Sequence, residues 1–101
     1  MKLTYNEKFK DRSPEETIKI IHEFFTNMNF SIEVKNLLQS KSSTWSCHIE
    51  LLYNNQIILS QNGKGTTKEY CLASGYGELY ERFCSKYFVL NNFTLSRIFM
   101  E

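Results

Sequence analysis

The chain has little proline, few cysteines and no long apolar run. Pro14 is its one proline, and its three cysteines are odd in number and lack a Cys-x-x-Cys spacing. This cysteine pattern argues against a disulfide framework or a zinc site and suits a reducing cytosol. No apolar stretch is long enough to span a bilayer, and no signal peptide is present. A formal net charge of +1 does not give the excess of basic residues that is typical of proteins binding nucleic acid or an anionic membrane. We therefore expect a cytoplasmic protein that binds neither.

The chain is rich enough in apolar residues to fold. Its 101 residues are 42% hydrophobic and 15% aromatic, which indicates one domain over residues 1–101 with a single modest core. The pattern of elements predicts an α+β fold. We expect an antiparallel sheet of about three to four strands, with two helices packed on one face.

A helix start signal follows the first dozen residues. Ser13 fits the N-cap, Pro14 the first helical position and Glu16 the third position of a capping box. The helix should run to about Asn27. Thr17 falls within its apolar sector, so its hydroxyl either bonds back to a helix carbonyl or points into a ligand site. The expected buried residues of this helix are Ile18, Ile21, Phe24, Phe25 and Met28.

Alternating apolar residues predict the strands. They cover Phe30–Leu38, Thr44–Tyr53 and Gln56–Gln61, with a tight turn at Asn54–Asn55 between the last two. A further short strand at Lys2–Tyr5 would complete a four-stranded sheet. The two histidines, His22 and His48, have no sequence partner that would make them a base or a ligand, and we assign them no chemistry.

A glycine-rich segment, Asn62–Gly65, is predicted to turn the chain into a second helix with a threonine near its N-cap. Such a turn can hold phosphate through its backbone N–H groups, with Lys64 as a cation, but it can equally be an ordinary connector. Within the helix, Gly75 and Gly77 together cost about 2 kcal/mol relative to alanine. We therefore expect another backbone to approach the helix closely.

The second helix has a polar arc of roughly 60° at about 100° per residue. Two glutamates on one face are either a solvated stripe or oxygen ligands of the kind that Mg²⁺ prefers. Arg82 can brace them through an i,i+4 pair with Glu78. The residues of the arc are Thr67, Ser74, Glu78, Glu81 and Ser85. The apolar residues opposite are Leu72, Tyr76, Leu79, Phe83 and Leu90, and the predicted helix closes at Asn91–Asn92.

Two separated motifs resemble the YcaO family. One is the run Gly63–Gly65, then Ala73–Ser74, Glu78 and Glu81–Arg82. The other is the pair Lys10–Asp11 with Thr17 seven residues after the lysine. YcaO proteins are ATP-dependent enzymes that activate peptide-backbone amides, forming azolines, thioamides or amidines in ribosomally made peptides. The resemblance implies phosphorylation of an amide oxygen, with ATP and Mg²⁺ as cofactors.

The resemblance also implies residue roles. Lys10, Thr17 and Ser74 match positions that contact the nucleotide, and Glu78 and Glu81 match positions of the magnesium site. Lys64 and Arg82 are further candidates for binding the ATP phosphates, because both side chains are positively charged.

The chain matches only the N-terminal portion of the family pattern, so the ATP site would be completed by the rest of such a domain or by a second chain. Alone, it is expected to be inactive. A peptide substrate and a companion protein that binds the leader peptide are implied partners, and a homodimer is allowed. The alternative hypothesis is that the chain is a non-catalytic module for dimerisation or for binding a peptide or protein. A third hypothesis is a structural domain without a ligand.

Overall fold

The computed structural model describes residues 12–88, with side chains described as far as Lys86. An antiparallel three-stranded sheet in the order β1-β2-β3 packs with two helices, which confirms the predicted α+β fold. The elements are α1 (Pro14–Thr26), β1 (Ser31–Gln39), β2 (Trp45–Tyr53), β3 (Gln56–Gly65) and α2 (Lys68–Phe83), followed by a π-helical segment (Cys84–Phe88). The expectations for Lys2–Tyr5, Lys10–Asp11, Leu90 and Asn91–Asn92 lie outside the described residues.

The first helix begins at the predicted capping box. Glu16 N–H donates to Ser13 Oγ, and Ser13 N–H donates to Glu16 Oε1, both at 3.1 Å. These bonds satisfy two backbone donors that a helix start leaves unpaired. Asn27 is the C-cap, as expected, and Ile21 and Phe25 are completely buried on the inner side of α1.

The sheet has one face toward the helices. Cys47, Ile49 and Leu51 alternate along β2 on that inner face and are buried. The predicted turn at Asn54–Asn55 joins β2 to β3, and both asparagines have the positive φ (52° and 64°) that a two-residue hairpin loop requires. A bulge between Lys35 and Leu38 interrupts the pairing of β1 with β2.

The glycine-rich segment is strand rather than turn, because β3 continues through it to Gly65. Gly63 pairs with Cys47 and faces α2, where a Cβ atom would lie 2.5 Å from the Cys71 carbonyl oxygen and 2.7 Å from the Gly75 nitrogen. A Cβ on Gly65 would lie 2.5 Å from the Cys71 nitrogen. The glycines therefore allow two backbones to touch, as expected from the cost of Gly75 inside the helix. They do not form a phosphate-binding turn.

Aromatic rings join the C-terminal ends of the helices. Phe24 packs edge to face on Tyr80 with ring centroids 5.1 Å apart, and Phe25 does the same on Phe83 at 5.1 Å. Phe30, at the start of the sheet, contacts Phe83 at 5.3 Å and so connects this cluster to β1. Neither described helix has the length and apolar character needed to cross a membrane.

The three cysteines are buried, and none is part of a disulfide. Burial, together with the neighbouring Cys71, raises the pKa of the Cys47 thiol to about 12. Because the protonated thiol behaves as a small apolar group, Cys47 serves as a packing residue beneath α2.

The contact between β3 and α2 predicts a large difference between neighbouring substitutions. Gly63→Ala forces a methyl group onto the α2 backbone, so we expect the free energy of unfolding to fall by about 1–3 kcal/mol. Lys64→Ala changes an exposed residue on the other face, and we expect a change within about 0.5 kcal/mol. Urea unfolding followed by circular dichroism measures both. Equal effects would contradict the backbone contact.

Candidate functional site

The second helix is amphipathic, as predicted. Leu79 and Phe83 are completely buried, whereas Glu78 and Arg82 are exposed and Ser74 and Glu81 are half-buried. The Thr67 hydroxyl caps the helix by accepting the Tyr70 N–H at 3.1 Å. The polar arc therefore lies along the boundary between the core and the surface.

One side of α2, next to the polar arc, forms a stripe of residues that lies along β3. Residues 71, 75, 78 and 82 recur at helical spacing on one side of α2, and residues 65, 63 and 61 alternate on the inner face of β3. The glycines contact the first half of the stripe. At the next inner position Gln61 reaches the second half: its Nε2 donates to Glu78 Oε1 at 3.1 Å, and its Oε1 accepts from Arg82 Nη1 at 3.0 Å.

Arg82 does not pair directly with Glu78, contrary to the i,i+4 interaction expected from the helix. The Gln61 side chain lies between them and bonds to both. The physical reason is that β3 runs close enough to α2 for an amide on the strand to reach both side chains. Sequence reasoning missed Gln61. The signal that could have found it is the alternation of residues 61, 63 and 65, once the glycines are assigned to the strand.

Thr17 is 1% exposed, and its Oγ1 has no hydrogen-bond partner among the described residues. The back-bond to a helix carbonyl, one of the two expectations for this hydroxyl, is therefore wrong. Leaving a buried polar group unpaired costs about 1–3 kcal/mol. Such a group points to a partner that the described residues do not provide.

Thr17 lies on the helix that packs on α2. Phe24 of α1 contacts Tyr80 of α2, and the two helices contact each other extensively. Thr17 is buried on the same side of α1 as Phe25, and Phe25 contacts Phe83 of α2. The Thr17 hydroxyl is therefore directed into the packed interior.

Lys64 lies on the wrong side of the sheet for this site. Its neighbours Gly63 and Gly65 face α2, so Lys64 points to the outer face, where it pairs with Ser46. The sheet separates it from Glu78, and a role of Lys64 in binding the nucleotide stays a prediction that the α2 site does not support. Lys64 instead lines a shallow outer groove of about 550 Å³ with Asn36, Leu38, Ser46, His48 and Asn62. Lys10 lies outside the described residues.

His48 has the partners that the sequence did not reveal. Its Nδ1 lies 2.9 Å from Asn62 Oδ1, and its Nε2 lies 3.4 Å from Glu50 Oε2. Glu50, which is nearly buried, also forms an ion pair with Lys35 Nζ at 3.2 Å. One ring nitrogen of His48 is thus engaged by the Asn62 amide and the other by the Glu50 carboxylate, which gives the histidine a structural role on the outer face.

The described residues offer two carboxylates for a metal. No group of three or more His, Cys, Asp or Glu side chains within them is arranged to hold an ion. Mg²⁺ in nucleotide sites is commonly bound by one or two carboxylates together with phosphate oxygens and water. Glu78 and Glu81, one turn apart on α2, fit that requirement. Ser74, half-buried on the same helix, adds a hydroxyl oxygen.

Two curated proteins are similar to part of the chain. Ribosomal protein S12 methylthiotransferase accessory factor YcaO of Escherichia coli (strain K12) is 34% identical over 79 residues, which are 78% of this chain and 13% of that protein. An uncharacterized protein of Haemophilus influenzae (strain ATCC 51907 / DSM 11121 / KW20 / Rd) is 35% identical over 79 residues, with the same coverage. The chain spans 13% of the length of these relatives. No protein-family model matches it.

The unpaired hydroxyl of Thr17 predicts a gain in stability when it is removed. Thr17→Val keeps the branched shape and deletes the buried oxygen, so we expect the free energy of unfolding to rise by about 1 kcal/mol. Thr26→Val makes the same change at an exposed position of α1 and should stay within about 0.5 kcal/mol. Urea unfolding measures both. Destabilisation by Thr17→Val would show that the hydroxyl already has a partner in the free chain.

Proposed function

We propose that the chain is the N-terminal nucleotide-site portion of a YcaO-type, ATP-dependent enzyme that activates peptide-backbone amides. One observation carries the proposal: Thr17 has a buried hydroxyl with no hydrogen-bond partner among the described residues, on the helix that packs on α2, and α2 carries the polar arc of Ser74, Glu78 and Glu81. The similarity to the protein named YcaO supports the same function.

The residues have distinct roles in this proposal. Glu78 and Glu81 provide carboxylate oxygens for Mg²⁺, and Ser74 and Thr17 provide hydroxyl groups for the nucleotide. Arg82 offers a guanidinium group to the phosphates, and the hydrogen bond from its Nη1 to Gln61 holds the side chain in place. Lys10 contributes a further positive charge. When bound, ATP supplies the phosphoryl group that activates the amide oxygen of the peptide substrate.

The site requires groups beyond those described here. Glu78 and Arg82 are exposed, so the second half of the polar arc is open on the side away from the core. Two carboxylates and one arginine do not neutralise a triphosphate. We propose that further polypeptide or a second chain covers this side, and that a peptide substrate and a companion protein recognising its leader are the partners. The chain alone should therefore bind nucleotide weakly.

Mg²⁺-dependent ATP binding tests the proposal. We expect the isolated chain to bind Mg-ATP with a dissociation constant on the order of 1 mM, equivalent to about −4 kcal/mol. Backbone amide NMR signals detect binding of this strength and map it to residues. The largest shifts should fall at Thr17, Ser74 and Glu78, and they should disappear when EDTA removes the metal.

A matched pair of variants on α2 provides the control. Glu78→Gln keeps the shape of the side chain but removes a metal ligand, and should weaken binding about tenfold or more. Glu69→Gln makes the same change at an exposed position of the first helical turn, outside the arc, and should leave binding unchanged. If the folded chain shows no saturable shifts, or if both variants behave alike, a non-catalytic module becomes the better description.

A further inference from the structure

We infer that Gln61 is a positioning residue that keeps Arg82 from neutralising Glu78. The inference rests on the proposed function, because its purpose is to leave the Glu78 carboxylate available to a metal. Gln61 belongs to β3, not to the helix that carries the proposed ligands. Its amide contacts both side chains at hydrogen-bond distance.

The amide is chemically suited to this place. A carboxylate can only accept hydrogen bonds and a guanidinium can only donate them, whereas an amide does both. The orientation of the Gln61 amide follows from these partners, since the reverse orientation would set its NH₂ against the Arg82 guanidinium. Glutamate at this position would repel Glu78, and an apolar residue would bond neither partner.

The strand holds the amide in place. Gln61 is half-buried, pairs with Ile49 on the central strand, and lies two residues from Gly63, where the β3 and α2 backbones touch. Its Nε2 also lies 3.4 Å from the Asn62 carbonyl oxygen. These contacts fix the amide relative to α2 far better than a side chain on a loop could be fixed.

Without Gln61, the two charged side chains should pair with each other. A glutamate four residues before an arginine on a helix is in the favourable orientation for an ion pair. A guanidinium bound to both carboxylate oxygens would compete with a metal for the same ligand. With the amide between them, Oε1 of Glu78 accepts one neutral donor, and Oε2 is not engaged by Gln61. Glu78 thus keeps its charge for the metal, and Arg82 keeps its charge for phosphate.

Metal binding without nucleotide tests the inference. Mn²⁺ replaces Mg²⁺ as a paramagnetic probe that broadens the NMR signals of nearby residues. We expect Mn²⁺ to broaden signals around Glu78 in the wild-type chain, with an affinity about tenfold lower in Gln61→Met, which keeps the length of the side chain. Adding Arg82→Ala to Gln61→Met should restore Mn²⁺ affinity, because the competing cation is gone. Gln56→Ala, an exposed glutamine of the same strand, should have no effect.

The outcomes separate the inference from the proposed function. If the wild-type chain binds Mn²⁺ and Mg-ATP but Gln61→Met binds them equally well, the role of Gln61 is overturned and the proposed function stands. If Gln61→Met weakens binding and Arg82→Ala does not restore it, competition by Arg82 is overturned. If the folded wild-type chain binds neither probe at Glu78, both are overturned. Urea unfolding of each variant verifies that the chain is folded.

Discussion

The contact between the backbones of β3 and α2 is the constraint on which the rest of the structure depends. A Cβ on Gly63 or Gly65 would lie less than 3 Å from the α2 backbone, so the helix can lie this low on β3 only because these two strand residues are glycines. A Cβ on Gly75 would instead meet the Ile49 side chain of β2 at 2.6 Å. The low position places Cys71 and Leu79 in the core and leaves the polar arc along the edge of α2. The glycines therefore serve the proposed site indirectly, by setting where the helix lies.

Local signals in the sequence predicted most of the fold. The capping box at Ser13, the turn at Asn54–Asn55 and the alternation along β2 each depend on residues close together in the chain, and each is confirmed. The end of β3 was wrong because glycine weakens a strand in isolation and favours a turn. Its presence in β3 depends on the approach of a helix, which is a tertiary interaction that local propensity does not contain.

The sequence predicted the part of the candidate site that lies on α2. Ser74, Glu78 and Glu81 follow from helical spacing, whereas Thr17 lies on a different helix, α1, which packs on α2. Lys64 lies on the outer face of the sheet, away from α2, because a residue between two inward-facing strand residues must point outward. Gln61 and the partners of His48 were missed for a related reason: both depend on which strand residues lie opposite one another, and only the register reveals this.

Two features of the described residues leave polar or charged groups available to a bound complex. The buried Thr17 hydroxyl is desolvated without a hydrogen bond, and Gln61 prevents the ion pair that Glu78 and Arg82 could form on the helix surface. In a domain that served only as a scaffold, both would be easy to remove, by valine at the first position and an apolar residue at the second. Each places a polar or charged group where an external ligand could use it. A metal–nucleotide complex satisfies both with the same chemistry, since phosphate accepts hydrogen bonds from hydroxyl and guanidinium groups and its metal requires carboxylate oxygens.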